Sequence, residues 1–91
     1  MGLSSLYEII LNRKEHPSEA SYTSQLFSQG LSRLAQKVGE EGTEVVVAAL
    51  VQDDARLVEE IADLTFHVMV LMVEKGVTPE DVVRELERRR K

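Results

Sequence analysis

Between Val58 and Val73 the chain is apolar at almost every position, and the few charges it carries there are not scattered. At about 100° per residue, Ile61, Leu64, Thr65, Phe66, Val68, Met69, Val70, Leu71 and Met72 leave little polar surface on a helix. Such a helix belongs in the centre of a core. Yet Glu60, Asp63 and His67 fall within about 60° of one another on it, flanked by Leu64 and Leu71 on one side and Val70 on the other. Ionised carboxylates in apolar surroundings are costly unless they are paired or bound to a metal. The fold must therefore bury this helix and still supply a partner for its acids.

The pattern upstream is helical almost throughout from Thr23 to Gln52. Gly30 is its likeliest break, separating a short helical turn capped by Thr23 from a long helix that starts at Leu31. Asp53 or Asp54 caps the apolar helix, which runs to about Lys75 and stops at Gly76 in the usual left-handed position. Near the N-terminus, Leu6, Ile9 and Ile10 recur at helical spacing behind the Ser-x-x-Glu capping pattern of Ser5 and Glu8, which predicts a helix from about Ser5 to Lys14. Glu15 to Tyr22 has no apolar period, and Pro17 disfavours helix at His16, so this stretch reads as a loop. Thr78-Pro79-Glu80-Asp81 opens the last helix with a cap, a first-position proline and two acids; Arg84, Arg88, Arg89, Arg90 and Lys91 load its far end as a solvated, dipole-complementing terminus. The β-branched runs lie inside capped helical segments, so no strand is expected. The predicted architecture is all-α: a four-helix chain built on a central antiparallel hairpin, one domain over residues 1–91.

A chain of 91 residues buries roughly 64% of its unfolded surface, enough for one modest core. Its formal charge of −5 repels phosphate backbones, and four aromatics (Tyr7, Tyr22, Phe27 and Phe66) are too few for a base-stacking platform. No nucleic-acid partner is expected. The absence of cysteine excludes disulfides, thiol nucleophiles and Cys-ligated metal sites. No apolar stretch approaches membrane-spanning length and no basic-then-apolar leader opens the sequence, so we expect a cytoplasmic protein without a membrane partner.

The long helix before the hairpin turn carries acids of its own. Glu41 and Glu44 are three apart and share a face, with Lys37, Glu40 and Arg33 beside them. At about 1.5 Å per residue, Glu44 lies roughly 12 Å from the Asp53-Asp54 connection and Glu60 roughly 9 to 10 Å from it. The two acidic pairs are therefore level, and in an antiparallel hairpin Glu41 and Glu44 meet Glu60 and Asp63. Four like charges need a cation to share one site. Hard oxygen ligands without thiolate favour Mg²⁺, with Mn²⁺ as the alternative, over zinc. His67, on a core helix, reads as a hydrogen-bonded structural residue rather than a ligand.

The run KVGEEGTEVVVAA (Lys37 to Ala49), followed by VEEIADLTFHVMVLM (Val58 to Met72), resembles the phosphoribosyl-ATP pyrophosphohydrolases, the histidine-biosynthesis members of the MazG-like all-α nucleotide pyrophosphohydrolases. SYTSQL (Ser21 to Leu26) and Gly30 also match, so the resemblance covers nearly the whole chain. Its specificity lies in KVGEE and EEIADL at their mutual separation. Gly42 departs from the family, which more often has alanine there; this costs about 1 kcal/mol of helix stability and removes no ligand.

The resemblance implies Mg²⁺-dependent hydrolysis of the α–β phosphoanhydride of phosphoribosyl-ATP to phosphoribosyl-AMP and pyrophosphate. Glu41, Glu44, Glu60 and Asp63 would bind the metal, and Glu40 or Glu41 would act on the attacking water. Lys37 is the first candidate for the substrate's phosphates, although an ion pair with Glu41 also explains it; Arg13, Lys14 and Arg33 are further candidates. The family is dimeric, and the all-round apolar helix independently asks for a second copy, so a homodimer forming a helix bundle is expected. Three other readings compete: a sister (d)NTP pyrophosphohydrolase, a di-iron bundle that would need Glu-x-x-His on two helices, and a non-catalytic helical interaction module.

Overall fold

The structure, a computed structural model, describes residues 1–90. Five helices follow in order: α1 (Leu3–Glu15), α2 (Tyr22–Ser28), α3 (Leu31–Val51), α4 (Asp54–Lys75) and α5 (Pro79–Arg89). The described residues contain no strand. The fold is thus all-α, as the sequence predicts, with the short turn before Gly30 grown into a helix of its own. Helices α3 and α4 form the antiparallel hairpin and the dominant packing of the molecule. Helix α1 lies across α4, α2 wedges against α1, α3 and α4, and α5 packs on α1.

The chemistry of the helix ends sets these bounds. Gly30 has φ 87°, a left-handed conformation that side-chained residues avoid, and so separates α2 from α3. Asp53 caps α4 by accepting from the Arg56 amide at 2.9 Å, and Gly76 ends it at φ 73°. Thr78 and Asp81 form a reciprocal capping box, and the Thr78 amide holds the Asp81 carboxyl below the ordinary aspartate range. At the far end of α5, Arg88 and Arg89 are exposed and paired with Glu85.

Two caps differ from expectation. α1 begins at Leu3 behind Gly2 with no side-chain cap, so Ser5 and Glu8 are interior residues and not a capping box. The Leu6 amide already bonds to the Gly2 carbonyl, and Ser4 reaches across to Glu80 on α5 at 3.3 Å; contact with α5 extends the helix backwards past its local start signal. In α2 the cap is Ser21, which accepts from the Ser24 amide at 3.2 Å, and Thr23 lies inside the helix. Ser21 has the extended backbone that a cap requires.

Tyr7, Ile10, Leu26, Leu34, Met69, Val70 and Val73 make the core, at the end of the hairpin remote from its turn. Towards the turn the hairpin stands alone. Gly42 sits in the interior of α3, where an added Cβ would meet nothing within 4 Å. Gly42→Ala is therefore expected to stabilise the protein by about 1 kcal/mol in urea denaturation. A loss of stability instead would place another chain against that flank.

Candidate metal centre and active site

Leu34, Glu41 and Ala48 are the three buried residues of α3, and their spacing of seven marks the seam that faces α4. Glu41 thus occupies a position where packing alone would place an aliphatic side chain. On α4, Glu60 and His67 are likewise buried and likewise seven apart. Glu41 is 7% exposed and Glu60 6%. Together with the exposed Asp63, each offers a carboxylate oxygen, and the three oxygens lie within 4.8 Å of one another.

The two buried glutamates are held alike. Lys37 Nζ lies 3.5 Å from Glu41 Oε1, and Arg56 Nη2 donates to Glu60 Oε1 at 2.9 Å; both cations sit one turn before their acid. Glu41 Oε2 and Glu60 Oε2 are buried without any partner. Buried anionic oxygens left bare cost free energy, and two that share a site with a third carboxylate repel one another. A divalent cation removes both penalties at once. The donor set is hard oxygen throughout, which fits Mg²⁺ or Mn²⁺ and not a soft, thiolate-seeking metal.

His67 is structural, as its position suggests. Its Nδ1 donates to the Asp63 carbonyl at 2.7 Å, which leaves Nε2 to accept from the Tyr22 hydroxyl at 3.4 Å. The ring ties α2 to α4 one turn beyond Asp63 and takes no place among the carboxylates.

The remaining sequence candidates are distributed around this centre. Glu44 is exposed and stands outside the three-acid group; it lines a neighbouring depression with Val47, Gln52, Arg56 and Glu60. Glu40 is also outside the group, accepting from Arg33 Nη1 at 3.1 Å and from Gln36 Nε2 at 3.2 Å. Lys14 pairs with Glu74 at 3.0 Å and lies over the Phe27 ring, while Arg13 lines a polar hollow with His16, Ser18, Ala20 and Ser21. Sequence reasoning missed Arg56. Its signal was present in the four-residue interval to Glu60, the same interval that singled out Lys37 against Glu41.

A cleft of about 530 Å³ lies on another flank of α4, between it, α5 and the start of α1. Its walls, among them Leu3, Leu64, Val68, Val82 and Leu86, carry no acid or base, so it holds none of the hydrolytic chemistry. Among the described residues no helix is long and apolar enough to cross a membrane.

Comparison with known proteins places the chain in a family. The family model described as phosphoribosyl-ATP pyrophosphohydrolase matches residues 3–90. A protein of Clostridium botulinum named phosphoribosyl-ATP pyrophosphatase is 51% identical over 88 residues, covering 97% of this chain and 80% of its own. Proteins of the same name from Sulfolobus acidocaldarius and Saccharolobus solfataricus are 51% and 49% identical, each aligning over 98% of this chain and at least 94% of its own length. On a match of this extent, the chain belongs to the phosphoribosyl-ATP pyrophosphohydrolase family.

Proposed function

We propose that this chain hydrolyses the α–β phosphoanhydride of phosphoribosyl-ATP, releasing pyrophosphate and leaving phosphoribosyl-AMP, the second step of histidine synthesis. Family membership supports the substrate. The observation that carries the chemistry is the pair of bare, buried oxygens on Glu41 and Glu60 beside the Asp63 carboxylate. These three residues would hold a divalent cation, Mg²⁺ in the first place, with Glu44 completing the set from the next turn of α3. Such a cation, when bound, neutralises phosphate charge and lowers the pKa of a water ligand.

The chain's own residues supply the remainder. Lys37 holds Glu41 only at 3.5 Å, a contact loose enough for a phosphate oxygen to compete for the ammonium. Arg33 is held one turn before Lys37 on α3 by Glu40, and would add positive charge to the same substrate phosphates. Of the two α1 cations, Arg13 has no acidic partner among the described residues and is the freer to meet an anion. Each Glu40 oxygen already accepts one bond, from Arg33 and from Gln36, which holds the carboxylate on that flank of α3.

The test is pyrophosphate release from phosphoribosyl-ATP with Mg²⁺ present or chelated, beside ATP and deoxynucleoside triphosphates. Turnover confined to phosphoribosyl-ATP and lost on chelation is expected, with Glu40→Gln keeping most of it. Turnover of ordinary triphosphates with phosphoribosyl-ATP inert would transfer the site to a sister activity.

The same reading includes a homodimer. Val58 is 67% exposed and Ile61 46% on the helix whose sequence is apolar nearly all round, and Leu50 and Val51 near the turn are 78% and 75% exposed. A second copy covers such a surface in the way a helix bundle buries its faces. Sedimentation equilibrium at micromolar concentration should give twice 10.2 kDa, and a stable 10.2 kDa species would exclude the dimer.

A further inference from the structure

The two buried glutamates have a feature in common that their metal role does not by itself require. Each has one oxygen taken by a cation of its own helix and one oxygen bare. On α4 the arrangement is firm: Arg56 Nη2 meets Glu60 Oε1 at 2.9 Å while Nη1 is anchored on Glu59 at 2.6 Å, so the guanidinium plane is fixed at two points. The Glu60 side chain is 8% exposed and that of Arg56 50%, so the arginine stands at the mouth and the carboxylate behind it.

We propose that Arg56 is a positioning residue that sets the ion selectivity of the centre, by leaving Glu60 a single oxygen to give. A carboxylate with both oxygens free grips a cation bidentately, which suits Ca²⁺ with its six to eight loosely arranged oxygens at 2.3–2.6 Å. Mg²⁺ wants six ligands in a tight octahedron and takes carboxylates one oxygen at a time. Arg56 engages Glu60 Oε1 at 2.9 Å and leaves that acid one oxygen without a partner, whereas Lys37 stands 3.5 Å from Glu41 Oε1 and holds it less firmly. This donor set discriminates against Ca²⁺ before any substrate arrives. The second anchor on Glu59 keeps the guanidinium from swinging aside to release the oxygen. Neighbours that orient metal ligands typically change affinity by about 10- to 100-fold when removed.

This inference rests on the reading of Glu41, Glu60 and Asp63 as cation ligands, and the experiment separates the two. Binding of Mg²⁺, Mn²⁺ and Ca²⁺ to the substrate-free protein is measured by calorimetry and by Mn²⁺ resonance titration with competition. The native protein is compared with Arg56→Met, Arg56→Lys and Glu60→Gln. Arg56→Met, which keeps the length of the side chain at a half-exposed position, is expected to shrink the preference for Mg²⁺ over Ca²⁺ by about tenfold. Arg56→Lys should restore most of it. Loss of a nearby positive charge would tighten both ions together and leave their ratio fixed, so an unchanged ratio in Arg56→Met overturns the positioning role. Mn²⁺ binding that survives Glu60→Gln undiminished overturns the ligand reading itself, and this inference with it.

Discussion

Glu60→Gln is expected to make the metal-free protein more stable and to lower turnover of phosphoribosyl-ATP by two orders of magnitude or more. Both effects come from one atom. Glu60 Oε2 is buried with no partner, as is Glu41 Oε2, and the carboxylates of Glu41, Glu60 and Asp63 converge, one oxygen of each lying within 4.8 Å of the others. Glutamine keeps the shape and keeps an oxygen for Arg56, and it replaces the orphaned acceptor with an amide that can donate to Glu41. Removing a buried unsatisfied oxygen and its repulsion from the neighbouring carboxylates in this way should gain about 1–2 kcal/mol. For a chain of this length that corresponds to a melting temperature higher by roughly 4–16 °C. The same change removes a ligand, so stability and activity move in opposite directions, the trade-off found where a site is built at the expense of the fold.

Metal should invert the ranking. A divalent cation that binds only the folded native protein stabilises it by about 2.7 kcal/mol at a hundred times its dissociation constant, and Glu60→Gln should lose that increment. Thermal melts of both proteins, with chelator and with a Mg²⁺ series, give all four quantities. A variant less stable than the native chain under chelation, with an intact response to Mg²⁺, would mean that the bare oxygens are not a cation's place.

Much of this centre is legible in the sequence because it depends on local intervals and one count. The spacing of Glu41 from Glu44 and of Glu60 from Asp63 fixes each helix face, and counting residues back to Asp53 fixes their level across the hairpin. Counting sets height and not azimuth, and here the structure refines the reading. Glu44 is level with Glu60 but about 60° further round α3 than Glu41, which turns it out to solvent while Glu41 stays on the seam. The same rotation explains Glu40, which lies on the flank of Arg33 and bonds to it at seven residues' separation.

The caps divide by the same logic. Asp53, Gly76 and Thr78 act where they stand because a loop on one side and a helix on the other leave no choice. Ser5 and Thr23 are also good capping residues, yet they lie within their helices, since contact with α5 draws α1 back to Leu3 and Ser21 already caps α2. A capping residue states that a helix can begin there; packing decides whether it does.

Leu34→Ala is expected to be the most damaging of the conservative core substitutions in α3, at about 3 kcal/mol, or roughly 12–24 °C in melting temperature. Leu34 is 1% exposed and belongs to the cluster of Ile10, Leu26 and Val70, to which α1, α2, α3 and α4 all contribute. It shares its seam with Glu41, and the two sites have opposite characters: seven residues apart, one is a fully buried apolar side chain and the other a buried carboxylate with one unpartnered oxygen. A cavity at Leu34 should therefore subtract from stability without touching the cation response, and the Mg²⁺-dependent rise in melting temperature should survive it in full. Leu50→Ala is the informative contrast. Its side chain is 78% exposed in a single protomer, so it should cost little unless a second copy covers it, in which case the cost will grow with dilution. A loss below about 1 kcal/mol at Leu34 would show that the four-helix junction does not hold the hairpin together. The apolar surface near the turn, and the partner that covers it, would then carry the fold.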